Sequence, residues 1–408
     1  MAKQKKAKLM ILLLMMMTLL LPVYSSVHAT APQKPFPQHS VYANGVIKPS
    51  HVTQAIMDQA VQAKWNAWKS AYLKQAGAGK YIVEYNDQGE TVSEAHGYGM
   101  VLAVIMAGYD TNAKAYYDGM YQYYKEHPSE NNPYLMAWKQ NSSYQDIEGA
   151  NSATDGDMDI AYSLLLADKQ WGSDGAIPYL QEGISMINAI MDNDVNQAEW
   201  TLRLGDWATS GSYNTATRPS DFMLNHMKAF EAATGDAKWT NVINKTYSII
   251  QTIYANNSAA TGLLPDFVVL KNGVYKPASA GFLEGPNDGY YYYNACRTPW
   301  RIATDYIVSG DTRALNLLTN LNSYIQTKTT NKPQNIRDGY KLSGSTLGSY
   351  NSGAFYAPFG VSAMTSSVNQ AWLNKLWDHT VNSAPELYYE DSIRLFSMLV
   401  MSGNWWTP

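Results

Sequence analysis

Three stretches of the chain set carboxylates beside small residues and aromatic rings. The densest is Ala153-Thr154-Asp155-Gly156-Asp157-Met158-Asp159-Ile160-Ala161. Thr154 or Asp155 is placed to cap a helix whose apolar face includes Ile160, Leu164 and Leu165. Acids in a first helical turn are favourable by ~0.3–1 kcal/mol, so a capping role alone would explain them. The alternation of three Asp also admits a calcium loop, but the helix starts at once where an EF-hand needs a Gly and then a Glu further on. The second stretch is Ser93-Glu94-Ala95-His96-Gly97-Tyr98-Gly99-Met100. Glu94 there opens a Gly-interrupted, strongly apolar helix. As an N-terminal acid it complements the helix dipole, and a carboxyl partly desolvated at that place takes the raised pKa that a general acid needs. His96 reads as a hydrogen-bonded core or supporting group. The third stretch, residues 281–301, carries Glu284, Asp288, four consecutive Tyr at 290–293, and a helix flanked by Arg297 and Arg301. The four rings are either packing or a ligand wall.

Other chemistries lack their motifs. No Gly-x-Ser-x-Gly marks a nucleophile, no HExxH or CxxC spacing marks a metal site, and no Gly-rich phosphate loop follows a strand. Cys296 is the only cysteine. It leaves no internal disulfide and shows no Cys-His pattern, so it reads as a small buried apolar residue. What remains is carboxylates with Tyr and Trp. Glycoside hydrolysis requires such carboxylate pairs, one protonated to serve the leaving oxygen and one ionised to activate water or attack carbon. The ring inventory permits the same reading: Tyr 31 and Trp 12 against Phe 8. Rings with a polar edge suit a wet cleft that stacks on sugars, and equally a Tyr-rich core and surface.

The elements that position these residues are helical almost throughout. Apolar periodicity predicts helices near 51–76, 93–108, 110–127, 156–170, 175–191 and 220–234. Further ones are predicted near 236–255, 296–309, 311–328, 353–365, 368–378 and 388–402. Turn residues such as Thr-Gly-Asp at 234–236 and Ser-Gly-Asp at 309–311 close short loops, which favours antiparallel neighbours. Longer loops, rich in Trp, Tyr, Asp and Glu, lead into the first member of each pair. Twelve paired helices with no sequence repeat predict an all-α fold, an (α/α)6 barrel of six inner and six outer helices with the long loops at one end; an open solenoid would show a repeat. Strand-like stretches are expected at Lys80–Tyr85, Phe267–Leu270 and Val274–Lys276.

The 408-residue chain is 46% hydrophobic and 16% charged, which excludes disorder. Lys3, Lys5, Lys6 and Lys8, then an apolar run from Leu9 to Leu21 and Pro22, have the layout of a secretory signal peptide over residues 1–29. That run is short for a membrane span of ~20 residues. Cleavage removes four Lys and no acid, taking the net charge from −4 to −8. With no basic tract, nucleic acid is not an expected partner. Residues 30–408 then read as a single domain, secreted and extracellular, with a monomer as the default.

At the same three stretches the chain resembles the bacterial family 8 glycoside hydrolases, which include endoglucanases, lichenases, chitosanases and some xylanases. Residues 153–161, with Ala167 and Trp171, match the family signature, and Ser93–Gly99 matches the segment that holds its general acid. The resemblance covers essentially the whole mature chain. It implies the (α/α)6 barrel, an inverting mechanism, Glu94 as general acid, and Asp155 at the sugar ring next to the broken bond. One departure is Asn294, where much of the family has an Asp base. An amide cannot take a proton from water at neutral pH. The chain therefore resembles the branch in which a Glu on a preceding loop is the base, which implies Glu284, with Asp288 in reserve. Trp138, Trp207, Tyr290 and Tyr293 are then candidate sugar platforms, and Arg297 orients acids or binds hydroxyls; each also has a structural reading. The implied substrate is a β-1,4-linked glucan (lichenan, mixed β-1,3-1,4-glucan or cellulose), with chitosan or a dual activity as the alternative. A non-catalytic carbohydrate-binding protein and a polysaccharide lyase are the rival classes. No metal or cofactor is called for.

Overall fold

Two kinds of helix alternate along the chain, and burial separates them. The computed structural model describes residues 31–408; the expected leader, 1–29, lies outside the described residues. Ser93–Met106 (α2) is buried at every position except Glu94, and Thr154–Trp171 (α4) at every position except Asp168 and Lys169. Gly353–Ala363 (α10) is buried throughout, and Tyr388–Met401 (α12) everywhere except Tyr389. Thr298–Ser309 (α8) is buried at most of its positions, and Leu224–Thr234 (α6), buried only at Leu224, Asn225, His226, Met227 and Phe230, completes the set by its place in the ring. A helix apolar on all sides must be enclosed by others. The enclosing helices are Gln54–Tyr72 (α1), Ala113–Glu126 (α3), Tyr179–Ala189 (α5), Lys238–Asn257 (α7), Leu315–Lys328 (α9) and Gln370–Asn382 (α11). Each buries a single stripe, as α7 does with Trp239, Val242, Ile243, Thr246, Ile249, Ile250 and Ile253 at helical spacing.

The inner helices pack in chain order, α2 on α4, α4 on α6, α6 on α8, α8 on α10 and α10 on α12. The ring closes where Tyr98 of α2 meets Phe396 of α12, ring centroids 5.0 Å apart. Each outer helix lies against an inner one; α1 opens the chain as an outer helix and finds its partner in α12. The fold is the (α/α)6 barrel, and Pro32–Pro408 form one unit. The short connections 107–112, 172–178, 235–237 and 310–314 lead out of inner helices. The long ones, 127–153, 190–223, 258–297 and 329–352, lead into them. The N-termini of the inner helices therefore share one end, and the long loops gather above it. Among the described residues no helix is long and apolar enough to cross a membrane.

The twelve predicted segments correspond to the twelve α-helices among the described residues, with one boundary corrected. The first helix stops at Tyr72, and Leu73–Gln75 (β1) instead pairs antiparallel with Tyr81–Val83 (β2). Gly77 and Gly79, both at positive φ, make the turn between them. Thr91–Val92 (β3) pairs with Lys139–Gln140 (β4), and Val195–Asn196 (β5) with Thr201–Leu202 (β6). These ladders are too short to leave a period-2 pattern. Val268–Lys271 (β7) and Val274–Pro277 (β8) form the expected hairpin, closed by Asn272 and Gly273 at φ 54° and 73°.

Candidate active site

Glu94 and Asp155 each occupy the second position of an inner helix, and a close helix crossing brings them together. A Cβ on Gly97 would lie 2.7 Å from Asp159 Cβ, and one on Gly156 would lie 2.6 Å from the Ser93 carbonyl carbon. Only glycine lets α2 and α4 approach this far. Arg297, just before α8, spans the two acids: its Nη1 donates to Glu94 Oε2 at 2.7 Å and to Asp155 Oδ2 at 3.1 Å. The rest of that guanidinium, 1% exposed, is held by Ser220 Oγ at 3.1 Å and Asn294 Oδ1 at 2.9 Å. Of its two expected roles, the contacts are those of a group that orients acids.

The two carboxyls are driven apart in acidity. Burial pushes the pKa of Glu94 up and the charge of Asp155 adds to this, against the pull of Arg297 and Arg218 and the Tyr388 hydroxyl, which donates to Oε1 at 3.1 Å. Burial also works against the charge on Asp155. There Arg218, 2.9 Å from Oδ1, and Arg297 outweigh it, and the pKa falls to about 2. Asp155 is thus a fixed anion beside a carboxyl that tends to keep its proton. Arg218 is itself held by Asp221, whose two oxygens accept from its Nε at 3.0 and 3.2 Å. The three alternating Asp have separate partners: residues two apart on a helix are rotated by about 200°, so Asp157 leaves the face that Asp155 and Asp159, one turn apart, share. Asp157 faces inward to the backbone N–H of Met136 at 2.9 Å, and Asp159 pairs with Arg301 at 2.6 Å and His226 at 2.9 Å. A shared ion between them, as in a calcium loop, does not fit these separate partners.

Glu284 is exposed on the loop between β8 and α8. Its Oε2 accepts from Asn294 Nδ2 at 2.7 Å. Because Arg297 donates to the other end of that amide, the orientation of Asn294 is fixed, and its NH2 must face Glu284. An aspartate at 294 would instead oppose Glu284 with like charge. Glu94 and Glu284 are therefore joined by the relay Arg297–Asn294, with two side chains between them. Asp288 is buried, and its carboxylate accepts backbone N–H groups of its own loop. Asp266, at the start of the same region, accepts from the N–H groups of Tyr292 at 3.0 Å and Ala295 at 2.6 Å; burial raises its pKa to about 7 against those bonds.

Adjoining hollows form one groove over this centre. A cavity of about 450 Å³ is lined by Glu94, Glu284, Tyr293, Asn294 and Arg297. It shares Arg218 and Glu284 with a second, of about 560 Å³, whose walls carry Trp138 and Trp207. On its other side it shares Tyr85, Leu387 and Tyr388 with a third. The expected platforms Trp138, Trp207 and Tyr293 thus line the groove. Tyr290 does not: it lines a separate hollow with Lys341, whose ammonium lies 5.8 Å from its ring. Tyr291 is fully buried core. Consecutive residues of an irregular loop point in different directions, so a four-Tyr run cannot form one wall. His96 is core; its Nε2 donates to the Met120 carbonyl at 2.6 Å, and burial drops its pKa to about 4. Cys296 is buried, its thiol pKa pushed up by burial. Sequence reasoning missed Arg218, Asp221 and Tyr388. The available signal was their place in the long loop before α6 and at the start of α12, where inner helices begin.

Comparison with known proteins agrees along nearly the whole chain. The model of Glycosyl hydrolases family 8 matches residues 34–403. A beta-glucanase of Niallia circulans is 69% identical over 389 residues, 95% of this chain and 95% of that protein. An endoglucanase of Bacillus sp. (strain KSM-330) is 42% identical over 397 residues, 94% of this chain and 84% of that protein. The apo structure of a beta-1,3-1,4-glucanase from Paenibacillus sp. X4 superposes with a TM-score of 0.92 at 69% identity, covering 93% of this chain and all of that one. A match of this extent, on a barrel whose open groove holds two carboxyls of unlike environment, places the chain in a family: it belongs to the glycosyl hydrolases of family 8.

Proposed function

We propose that the groove hydrolyses β-1,4 linkages inside neutral β-glucan chains, with inversion. The observation that carries this is the pair Glu94 and Glu284 in the walls of one open cavity, the first half-buried with a raised pKa and the second exposed on a loop. Glu94, protonated, gives its proton to the glycosidic oxygen as the bond to the anomeric carbon breaks. Glu284, ionised, takes a proton from the water that attacks that carbon from the opposite face. Such a geometry requires ~6.5–9.5 Å between the carboxyls, room for one water. Asp155 supplies the fixed negative charge beneath the ring whose anomeric carbon becomes positive, and Arg297 holds both acids in register. Trp138 and Trp207 stack on sugars to one side and Tyr293 on the other.

Neutral glucan is favoured over chitosan by the state of the carboxylates on the Trp138–Trp207 side. Glu148, in that wall, is already paired with Lys139 at 2.7 Å, and Arg218 adds a cation. An ammonium-bearing chain would find no spare anion there except Glu284. The similarity to the named beta-glucanase and beta-1,3-1,4-glucanase supports the same choice. In this reading residues 1–29 are the export leader, and 30–408 are the catalytic domain of a secreted, extracellular, monomeric enzyme. Reducing-end release from lichenan, carboxymethylcellulose and chitosan, measured side by side, tests it. Release from lichenan is expected. Release from chitosan alone would reassign the substrate, and binding without release would make the protein a carbohydrate binder.

Asp155→Asn gives a further expected outcome. The anion beside Glu94 helps to keep it protonated, and its loss leaves Arg297 and Arg218 unopposed. The pKa of Glu94 should fall, so the descending limb of kcat/KM against pH should move to lower pH. A limb that stays in place would show that Asp155 does not set the proton affinity of Glu94.

A further inference from the structure

We infer that Asp288 is the positioning residue of the general base: its buried carboxylate shapes the loop so that Glu284 meets Asn294 and faces the groove. The inference rests on the reading of Glu284 as base. Asp288 is 3% exposed, although Glu284, four residues earlier, is exposed. Its Oδ2 accepts from the backbone N–H of Leu283 at 2.8 Å and of Glu284 at 3.2 Å, and its Oδ1 accepts from Gly285 at 2.9 Å. Three consecutive amides converge on one carboxylate, a nest built around an anion the chain itself provides. Both oxygens are spent on the loop, so this carboxyl is not turned to a water in the groove. It fixes the backbone on which Glu284 sits.

The anchor is tied down in turn. The Phe267 N–H donates to Asp288 O at 2.9 Å, and the Asp266 N–H donates to Tyr290 O at 2.8 Å. The Asp266 carboxylate holds the turn that presents Asn294. Glu284 and the amide that grips it therefore hang from one segment, 266–267, through one buried carboxylate each. Without Asp288 the amides of Leu283, Glu284 and Gly285 lose their acceptor; the loop keeps the Gly281 N–H bond to Gly285 O, and the Glu284 side chain keeps the Asn294 contact. A base displaced by about 1 Å costs about 100-fold in rate.

The test is a double-mutant cycle on β-glucan hydrolysis with Asp288→Asn, Asp288→Ala, Glu284→Gln and the double variant Glu284→Gln/Asp288→Asn. Asn keeps one accepting oxygen and Ala none, so kcat is expected to fall about 10-fold for D288N and about 100-fold for D288A, with KM within about 2-fold. In the E284Q background, D288N should cost less than about 2-fold more, because the residue acts through Glu284. A purely structural role would cost the same factor in both backgrounds, and that result would overturn the inference. If D288A does not fold, the D288N pair decides alone, and thermal unfolding of D288N reports its folded state. Wild-type kcat in D288N with an inactive E284Q would overturn this inference only. An active E284Q with an inactive D288N would overturn the base assignment as well and make Asp288 the base.

Discussion

Replacing Glu94 by Gln is expected to cut turnover on β-glucan at least ~100-fold while leaving KM nearly unchanged, the size of effect that follows loss of a general acid. Gln is isosteric, and its amide oxygen still accepts from Arg297 while the Tyr388 hydroxyl keeps a partner, so the groove retains its shape. What disappears is the proton. The pH profile should change in form as well as height. In the wild type, activity falls as pH rises through the pKa of Glu94, which burial holds above the ordinary glutamate value. In E94Q that descending limb should vanish. Substrates with a good leaving group, which need little protonation, should lose far less. Wild-type turnover in E94Q would remove Glu94 from catalysis.

Glu284→Gln is expected to be as damaging, for the opposite reason: the variant binds and can protonate the leaving oxygen, but nothing takes the proton from water. The oxygen of the introduced amide can still accept from Asn294, so a loss of activity would not report a lost loop. The descending limb that Glu94 sets should persist in what activity is left. Stopped-assay kcat of E94Q and E284Q over the same pH range checks both at once. Loss of the descending limb in E94Q and its retention in E284Q is the signature of an acid and a base. Loss of the same limb would mean that one of the two assignments is wrong.

The helices were legible because each outer helix carries one stripe and most inner helices are buried nearly all round; α7 and α2 are the plainest cases. The ring followed from twelve such segments with short loops out and long loops in. The end of α1 was not legible, since apolar spacing runs through Trp65, Trp68 and Tyr72 into Ala76, and only Gly77 and Gly79 hint that the chain turns back. In the site, Glu94 and Asp155 stand out through their position at the head of Gly-bearing helices. The partners that set their acidity do not. Arg218 lies in an irregular loop 63 residues beyond Asp155, and its contact is purely tertiary. The same holds for the amide of Asn294 against Glu284. Asp288 was indistinguishable from a base by type and loop position; only the direction of its oxygens, toward three backbone amides, separates an anchor from a catalyst. Tyr290 and Tyr293 looked alike for a related reason, since loop residues carry no periodicity from which a facing direction follows.

In the proposed mechanism Glu94 and Glu284 act from opposite faces of one sugar ring with a water between them. Proton NMR during the first minutes of hydrolysis of a mixed-linkage β-glucan oligosaccharide observes this directly, through the anomer that forms before mutarotation. The new reducing end is expected to appear first as the α-anomer and to convert slowly to the equilibrium mixture. A new reducing end that appears first as the β-anomer would mean two displacements through a covalent intermediate, with no place for a base-activated water in the first.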